Sequence, residues 1–124
     1  MTDRCVLLID DDESVTSLLA ARLNALAGIE ALAVHDANQG LAEARARQPA
    51  LIVCDIDMGP TADSGGDIAY ALRNDARTAS IPIVFLSAIV TPDDMGEAAG
   101  GYFMISKRIG AAKIVAAIVG QLPA

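Results

Sequence analysis

A chain of 124 residues is long enough for one domain with a real core, and 53% hydrophobic content with only 3% aromatic residues implies an Ala/Leu/Ile/Val interior. Sixteen acidic against nine basic residues leave a formal charge of −7, which argues against nucleic acid or an anionic lipid surface as a direct partner. No apolar run approaches the roughly 20 residues needed to cross a bilayer, and the N-terminal MTDRC lacks the apolar segment of a secretion signal, so the expected location is cytoplasmic, with no membrane insertion.

The first element is an apolar strand, CVLLI over residues 5–9, which runs straight into Asp10, Asp11 and Asp12. A helix follows with Val15, Leu18, Leu19, Leu23 and Leu26 on one face, and Gly28 closes it. EALAV (30–34) reads as the second strand and 37–47 as the second helix. Pro49 precedes the third strand, LIVC (51–54), which ends at Asp55; a third helix is expected over 66–74. Pro82 precedes the fourth strand, IVFL (83–86), followed by Ser87. The fourth helix, over 93–99, is the weakest of the set, because only Met95, Ala98 and Ala99 form its face before Gly100-Gly101. YFMI (102–105) is the fifth strand and leads to Ser106 and Lys107. The last helix carries Ile114, Val115, Ile118, Val119 and Leu122 on one face.

Several of these strands are apolar at every position, which suits parallel strands covered on both faces. Five βα units without a repeat or linker imply a single domain over 1–124, an open parallel sheet with helices on both sides. Cys5 and Cys54 lie inside apolar runs and are read as buried thiols, since a disulfide would be unusual in a reducing compartment.

In such sheets ligands bind beyond the carboxyl ends of the strands, where the strand order reverses. For the flavodoxin-like order 2-1-3-4-5 that point lies between strands one and three. Strand one ends in Asp10 and Asp11, strand three in Asp55, strand four in Ser87 and strand five in Ser106-Lys107. Clustered carboxylates suit a hard divalent cation such as Mg²⁺, which relieves their mutual repulsion. A carboxylate in that setting can attack phosphorus to form an acyl phosphate, while a hydroxyl and an ammonium bind the phosphoryl oxygens.

The segments LLIDDDES, LIVCDIDM, IVFLSA and ISK, in this order on strands one, three, four and five, resemble the receiver domain of two-component response regulators (CheY-like). The likeness covers essentially the whole chain. It implies a flavodoxin-like (βα)5 doubly wound sandwich with a parallel five-stranded sheet of order 2-1-3-4-5. It further implies that Asp55 is the phosphoacceptor and that Asp10 and Asp11 hold Mg²⁺ together with Asp55 and the backbone carbonyl of Asp57. Ser87 matches the hydroxyl residue that turns toward the phosphoryl group, and Lys107 the lysine that contacts it. The phosphoryl donor is then a sensor histidine kinase or histidine phosphotransfer protein. The signal passes to an unknown downstream effector through the face made by the fourth helix, fifth strand and fifth helix.

Four departures accompany the likeness. Arg108 stands where the family has a cis-forming proline, and a cis bond there would cost about 3 kcal/mol. Met104 replaces the usual aromatic, MGPTADSGGD is longer than the family's loop, and Asp57 adds a carboxylate beside Asp55. Each residue also has a plainer reading. Asp12 is read as a helix N-cap. Asp55 after a strand is a common turn starter, Ser87 a common cap, and Lys107 an ordinary solvated lysine; only their joint placement makes a site. His35 is read as a rim histidine without a partner nearby in sequence. Two rival functions remain open. One is a receiver that binds a partner constitutively, and the other is a haloacid-dehalogenase-type phosphatase, whose DxD motif, however, belongs on the first strand.

Overall fold

The computed structural model describes residues 4–55, 65–88, 91, 93, 95–97 and 102–123. In chain order the elements are β1 (Arg4–Ile9), α1 (Glu13–Asn24), β2 (Ile29–Val34), α2 (Ala37–Arg47), β3 (Leu51–Asp55) and α3 (Gly65–Arg73). They continue with β4 (Ile83–Ser87), β5 (Gly96–Glu97), β6 (Phe103–Ser106), a 3-10 turn (Lys107–Ile109) and α4 (Ala111–Gln121). The sheet order is β2-β1-β3-β4-β6-β5. Its first five strands are parallel and have the expected order 2-1-3-4-5, with β6 as the fifth.

Side chains on neighbouring strand positions point to opposite faces, so a fully apolar strand feeds two cores at once. Leu7 and Ile9 of β1, Ile52 and Cys54 of β3, and Phe85 of β4 pack with α2 and α3 residues such as Ala44, Ile68 and Leu72. Val6 and Leu8, Leu51 and Val53, Val84 and Leu86 pack on the other face with Leu19 and Leu23 of α1 and Ile114 and Ile118 of α4. The doubly wound sandwich follows directly. Leu18, expected on the buried face of α1, is 48% exposed, so the stripe that reaches the core is narrower than its periodicity implies, and Leu26, expected on the same face, lies past the end of the helix and is 41% exposed.

Two glycines answer different needs, one of backbone conformation and one of packing. Gly28 has φ +80 just before β2, the left-handed conformation that glycine adopts without strain. In α2, Gly40 lets the helix lie close on β1, where an added Cβ would stand 2.6 Å from Ile9 Cδ1.

One expected element differs. Within 93–99, residues Gly96 and Glu97 form a two-residue strand antiparallel to β6, pairing with Met104 and Phe103, rather than the middle of a helix. Gly96 has φ +126, outside the right-handed helical region. A segment offering only Met95, Ala98 and Ala99 as an apolar face has little packing to hold a helix against the sheet. Among the described residues the α-helices are therefore α1, α2, α3 and α4, and β5 lies along the outer edge of β6.

A candidate phosphoryl and metal site at the carboxyl edge

The strand register brings the predicted residues together. Ile9 pairs with Cys54, so the next residues, Asp10 and Asp55, leave adjacent strands side by side. Asp55 in turn pairs with Leu86 and Ser87 with Ser106, which sets Ser87 and Lys107 at the same edge. Asp10, Asp55 and Ser87 are all buried, at 1%, 2% and 2% exposure. Asp11 is exposed. One carboxylate oxygen from each of Asp10, Asp11 and Asp55 lies within 4.8 Å of the others.

Lys107 reaches into this group from the 3-10 turn. Its Nζ donates to Asp10 Oδ2 at 3.0 Å and stands 3.1 Å from Asp55 Oδ1. Burial alone would favour the neutral amine, but the hydrogen bond to Asp10 and the charges of Asp10 and Asp55 outweigh it and raise the ammonium pKa. The other Asp10 oxygen, Oδ1, accepts the Asp12 N–H at 2.9 Å, fixing the start of the β1–α1 turn. Cys54, one residue before Asp55, has its thiol pushed up to about 12 by burial first and then by the charges of Asp55 and Asp10. The neutral thiol packs in the core on the α2 and α3 side of the sheet. Cys54 is buried as expected, whereas Cys5 is only half-buried, and both are free thiols.

The residues present fit a hard divalent cation. The donors are all carboxylate oxygens, and three negative charges face a single ammonium, leaving excess charge that a cation offsets. Asp57, the expected source of a further carbonyl ligand, lies outside the described residues, as does most of the longer loop that follows it.

Asp12 is the N-cap of α1, with Oδ1 accepting from Ser14 N at 3.0 Å and Ser14 Oγ at 2.6 Å. The Ser14 hydroxyl first, and the turn amides after it, hold its carboxyl below the usual range. The acidic run thus divides its work, with Asp10 and Asp11 facing the site and Asp12 starting the helix.

The structure adds partners the chain order hides. His35 follows Val34, which pairs with Ile9, so the ring lies beside Asp10. Its Nδ1 is 3.2 Å from the Asp10 carbonyl oxygen and 3.5 Å from Thr16 Oγ1, and Nε2 is 4.0 Å from Glu13 Oε1. The expected rim position holds, but the histidine has polar neighbours from two elements. Arg108 likewise lies at the edge: its Nε donates to the Ala88 carbonyl at 3.0 Å, and its N–H to Ser106 Oγ at 3.1 Å. Among the described residues no peptide bond is cis, so Arg108 follows Lys107 through a trans bond. A cleft of about 380 Å³ at the opposite end of the sheet, lined by Leu51, Arg73, Ile83 and Tyr102, carries no comparable chemistry. Arg73 there is engaged by the carbonyls of Ala79 and Ile81 and lies over the Tyr102 ring.

Comparison with known proteins agrees with this arrangement. Residues 6–119 match the family model described as response regulator receiver domain. Over 84 residues the chain is 38% identical to the DNA-binding dual master transcriptional regulator RpaA of Synechocystis sp., covering 68% of this chain and 34% of that protein. Over 88 residues it is 33% identical to the phosphate regulon transcriptional regulatory protein PhoB of Pseudomonas aeruginosa, covering 71% and 37%. The chain thus spans about a third of the length of these relatives. In fold it is similar to chemotaxis response regulator CheY4 of Vibrio cholerae (TM-score 0.79, 24% identity, 96% of this chain and 98% of that one). A response regulator from Desulfuromonas acetoxidans gives TM-score 0.77 at 24% identity, with 94% of each chain covered. With the strand order, the edge chemistry and this match in place, the chain belongs to the response regulator receiver domain family.

Proposed function

We propose that this receiver accepts a phosphoryl group on Asp55 in a Mg²⁺-dependent transfer from the phosphohistidine of a sensor histidine kinase or histidine phosphotransfer protein. The observation that supports it most is the Lys107 ammonium held between Asp10 Oδ2 and Asp55 Oδ1 at the carboxyl edge of the sheet. Asp55 Oδ attacks phosphorus, an O–P bond forms and the P–N bond breaks. The imidazole nitrogen leaves with the electron pair. Lys107 follows the developing charge from the carboxylates to the phosphoryl oxygens, and the Ser87 hydroxyl donates to another of them. Asp10 and Asp11, with the Asp57 carbonyl, would hold Mg²⁺, which supplies charge neutralisation at the phosphoryl oxygens. Water later attacks phosphorus in line, and the O–P bond breaks to return the Asp55 carboxylate and inorganic phosphate.

The phosphorylated state then biases an equilibrium between two arrangements of the surface near β6. With Gly96–Glu97 in a strand, that surface is made by β5, β6 and α4. Both relatives are named as transcriptional regulators. In the present reading these residues receive the signal and pass it to an effector, and their charge of −7 keeps them off nucleic acid. Among the described residues no helix is long and apolar enough to cross a membrane, and a cytoplasmic location fits a phosphohistidine donor.

The test is intact mass after incubation with Mg²⁺ and acetyl phosphate, or with a phosphorylated kinase, for wild type and Asp55→Asn. One added phosphoryl group in wild type only, and only with Mg²⁺, is the expected result. No adduct from either donor would replace this reading with that of a constitutive binding module.

A further inference from the structure

Arg108 stands at the site edge in a position the acidic site does not explain. Its backbone is tied down first: Ser106 Oγ accepts the Arg108 N–H at 3.1 Å and starts the 3-10 turn, and Gly110, at φ +87, ends it before α4. From that anchored turn the side chain reaches back across the sheet edge, and Nε donates to the carbonyl of Ala88 at 3.0 Å. Ala88 is the residue after Ser87, and Arg108 the residue after Lys107. One hydrogen bond therefore joins the segment carrying the hydroxyl to the segment carrying the ammonium. Between them the ladder has reached its last pair, Ser87 with Ser106, so the backbone beyond it has no further β4–β6 pairing to set its spacing.

We propose that Arg108 is a positioning residue: its Nε–H, rather than its charge, clasps the Ala88 carbonyl and holds Ser87 and Lys107 at the spacing a phosphoryl group requires. This rests on the receiver reading given above and adds to it a residue outside the acidic and phosphoryl-binding set. The contact is to a neutral carbonyl, so the donor and its reach carry the effect. Transfer that depends on two groups meeting different oxygens of one phosphoryl group is sensitive to their relative placement.

Three substitutions separate donor from charge. Arg108→Gln keeps an N–H donor at the same distance along the side chain as Nε but removes the charge. Arg108→Lys keeps the charge and puts a methylene at that place, and Arg108→Ala removes both. Each is compared with wild type for the rate of phosphoryl gain from acetyl phosphate with Mg²⁺, for thermal midpoint, and for the ¹³C shift of the Ala88 carbonyl in unphosphorylated protein. Arg108→Ala and Arg108→Lys are expected to slow phosphorylation roughly five- to tenfold, the worth of one hydrogen bond. Both should also move the Ala88 carbonyl resonance, with thermal midpoints close to wild type. Arg108→Gln restores the rate and the resonance. Rescue by Lys and failure of Gln would overturn the clasp in favour of charge steering of the donor, and wild-type rates in all three would overturn any role. If wild type takes up no phosphoryl group, the receiver chemistry has failed rather than the clasp. The clasp then stands or falls on the Ala88 resonance, and an identical shift in all four proteins would remove it.

Discussion

Asp10 and Lys107, 97 residues apart in the chain, are joined by a 3.0 Å charge-assisted hydrogen bond in which the carboxylate is almost wholly buried and the ammonium side chain is 21% exposed. The bond joins the carboxyl ends of β1 and β6 across the two strands between them, β3 and β4. It also leaves the site with a built-in counter-charge that a metal can supplement or replace. Lys107→Met is therefore expected to destabilise the Mg²⁺-free protein by about 2 kcal/mol. That is less than the loss for a fully buried pair, because the ammonium retains some water. Added Mg²⁺ should recover much of that loss, since the cation supplies the missing positive charge to the same oxygens. Thermal midpoints with and without Mg²⁺ measure it; an equal deficit in both conditions would mean that a bound metal does not share these carboxylates.

Asp11 offers the opposite case. It is the exposed member of the three carboxylates, and no hydrogen bond in the β1–α1 turn depends on its side chain among those described. Its charge adds repulsion to the metal-free site without a structural return. Asp11→Asn should raise the Mg²⁺-free thermal midpoint by roughly 1–3 °C, as removal of a like charge does, while reducing the midpoint gain on adding Mg²⁺. Asp10→Asn should not stabilise, because Asp10 Oδ1 and Oδ2 hold Asp12 N–H and Lys107. A midpoint lowered by Asp11→Asn would count against the repulsion argument.

These contrasts show what a linear reading can reach. Asp10, Asp55, Ser87 and Lys107 were legible because each ends an apolar strand or follows it within two residues, and parallel strands deliver their carboxyl ends to one edge. His35 was placed at that edge too, but its contact with the Asp10 carbonyl depends on the β1–β2 register, which no local pattern encodes. The helix expected over 93–99 failed for a local reason. Glycine at 96 and a thin apolar face leave the backbone free to pair with β6 instead. The exposure of Leu18 was hidden because periodicity gives a face without saying how wide the opposing core is.

Cys54 makes a prediction at alkaline pH. Its thiol ionises near 9.0 when unfolded and is pushed up to about 12 in the fold by burial, and then by Asp55 and Asp10. A folded pKa above the unfolded one means that the folded state holds the proton longer, so its contribution is intact below pH 9. That contribution is lost as the unfolded chain releases the proton, at about 1.4 kcal/mol per pH unit up to about 12. Stability of wild type minus Cys54→Ala, measured by denaturant unfolding across this range, should fall with that sign. A difference flat in pH would mean that the thiol is not sheltered beside Asp55. Below pH 9 a thiol reagent should find Cys5, which is half-buried, well before Cys54.

The close packing of α2 on β1 can be tested from both sides. A methyl at Gly40 would meet Ile9 Cδ1 at 2.6 Å, Cγ1 at 3.1 Å and Cγ2 at 3.3 Å, and Ile9 is 1% exposed, immediately before Asp10. In an exposed helix Gly→Ala gains up to about 1 kcal/mol of helix propensity. Here overpacking opposes it, and its cost of about 1–3 kcal/mol is the larger effect. Gly40→Ala alone is therefore expected to destabilise. Ile9→Val removes the Cδ1 atom that makes the shortest contact and costs about 1 kcal/mol by itself. The double variant should then be more stable than the sum of the two single losses by about 1 kcal/mol, a coupling that denaturant unfolding of all four proteins resolves. Strict additivity would show that α2 yields to the methyl without pressing on Ile9. A coupled pair would mean instead that the strand delivering Asp10 to the site is held from its α2 side by the absence of a side chain at position 40.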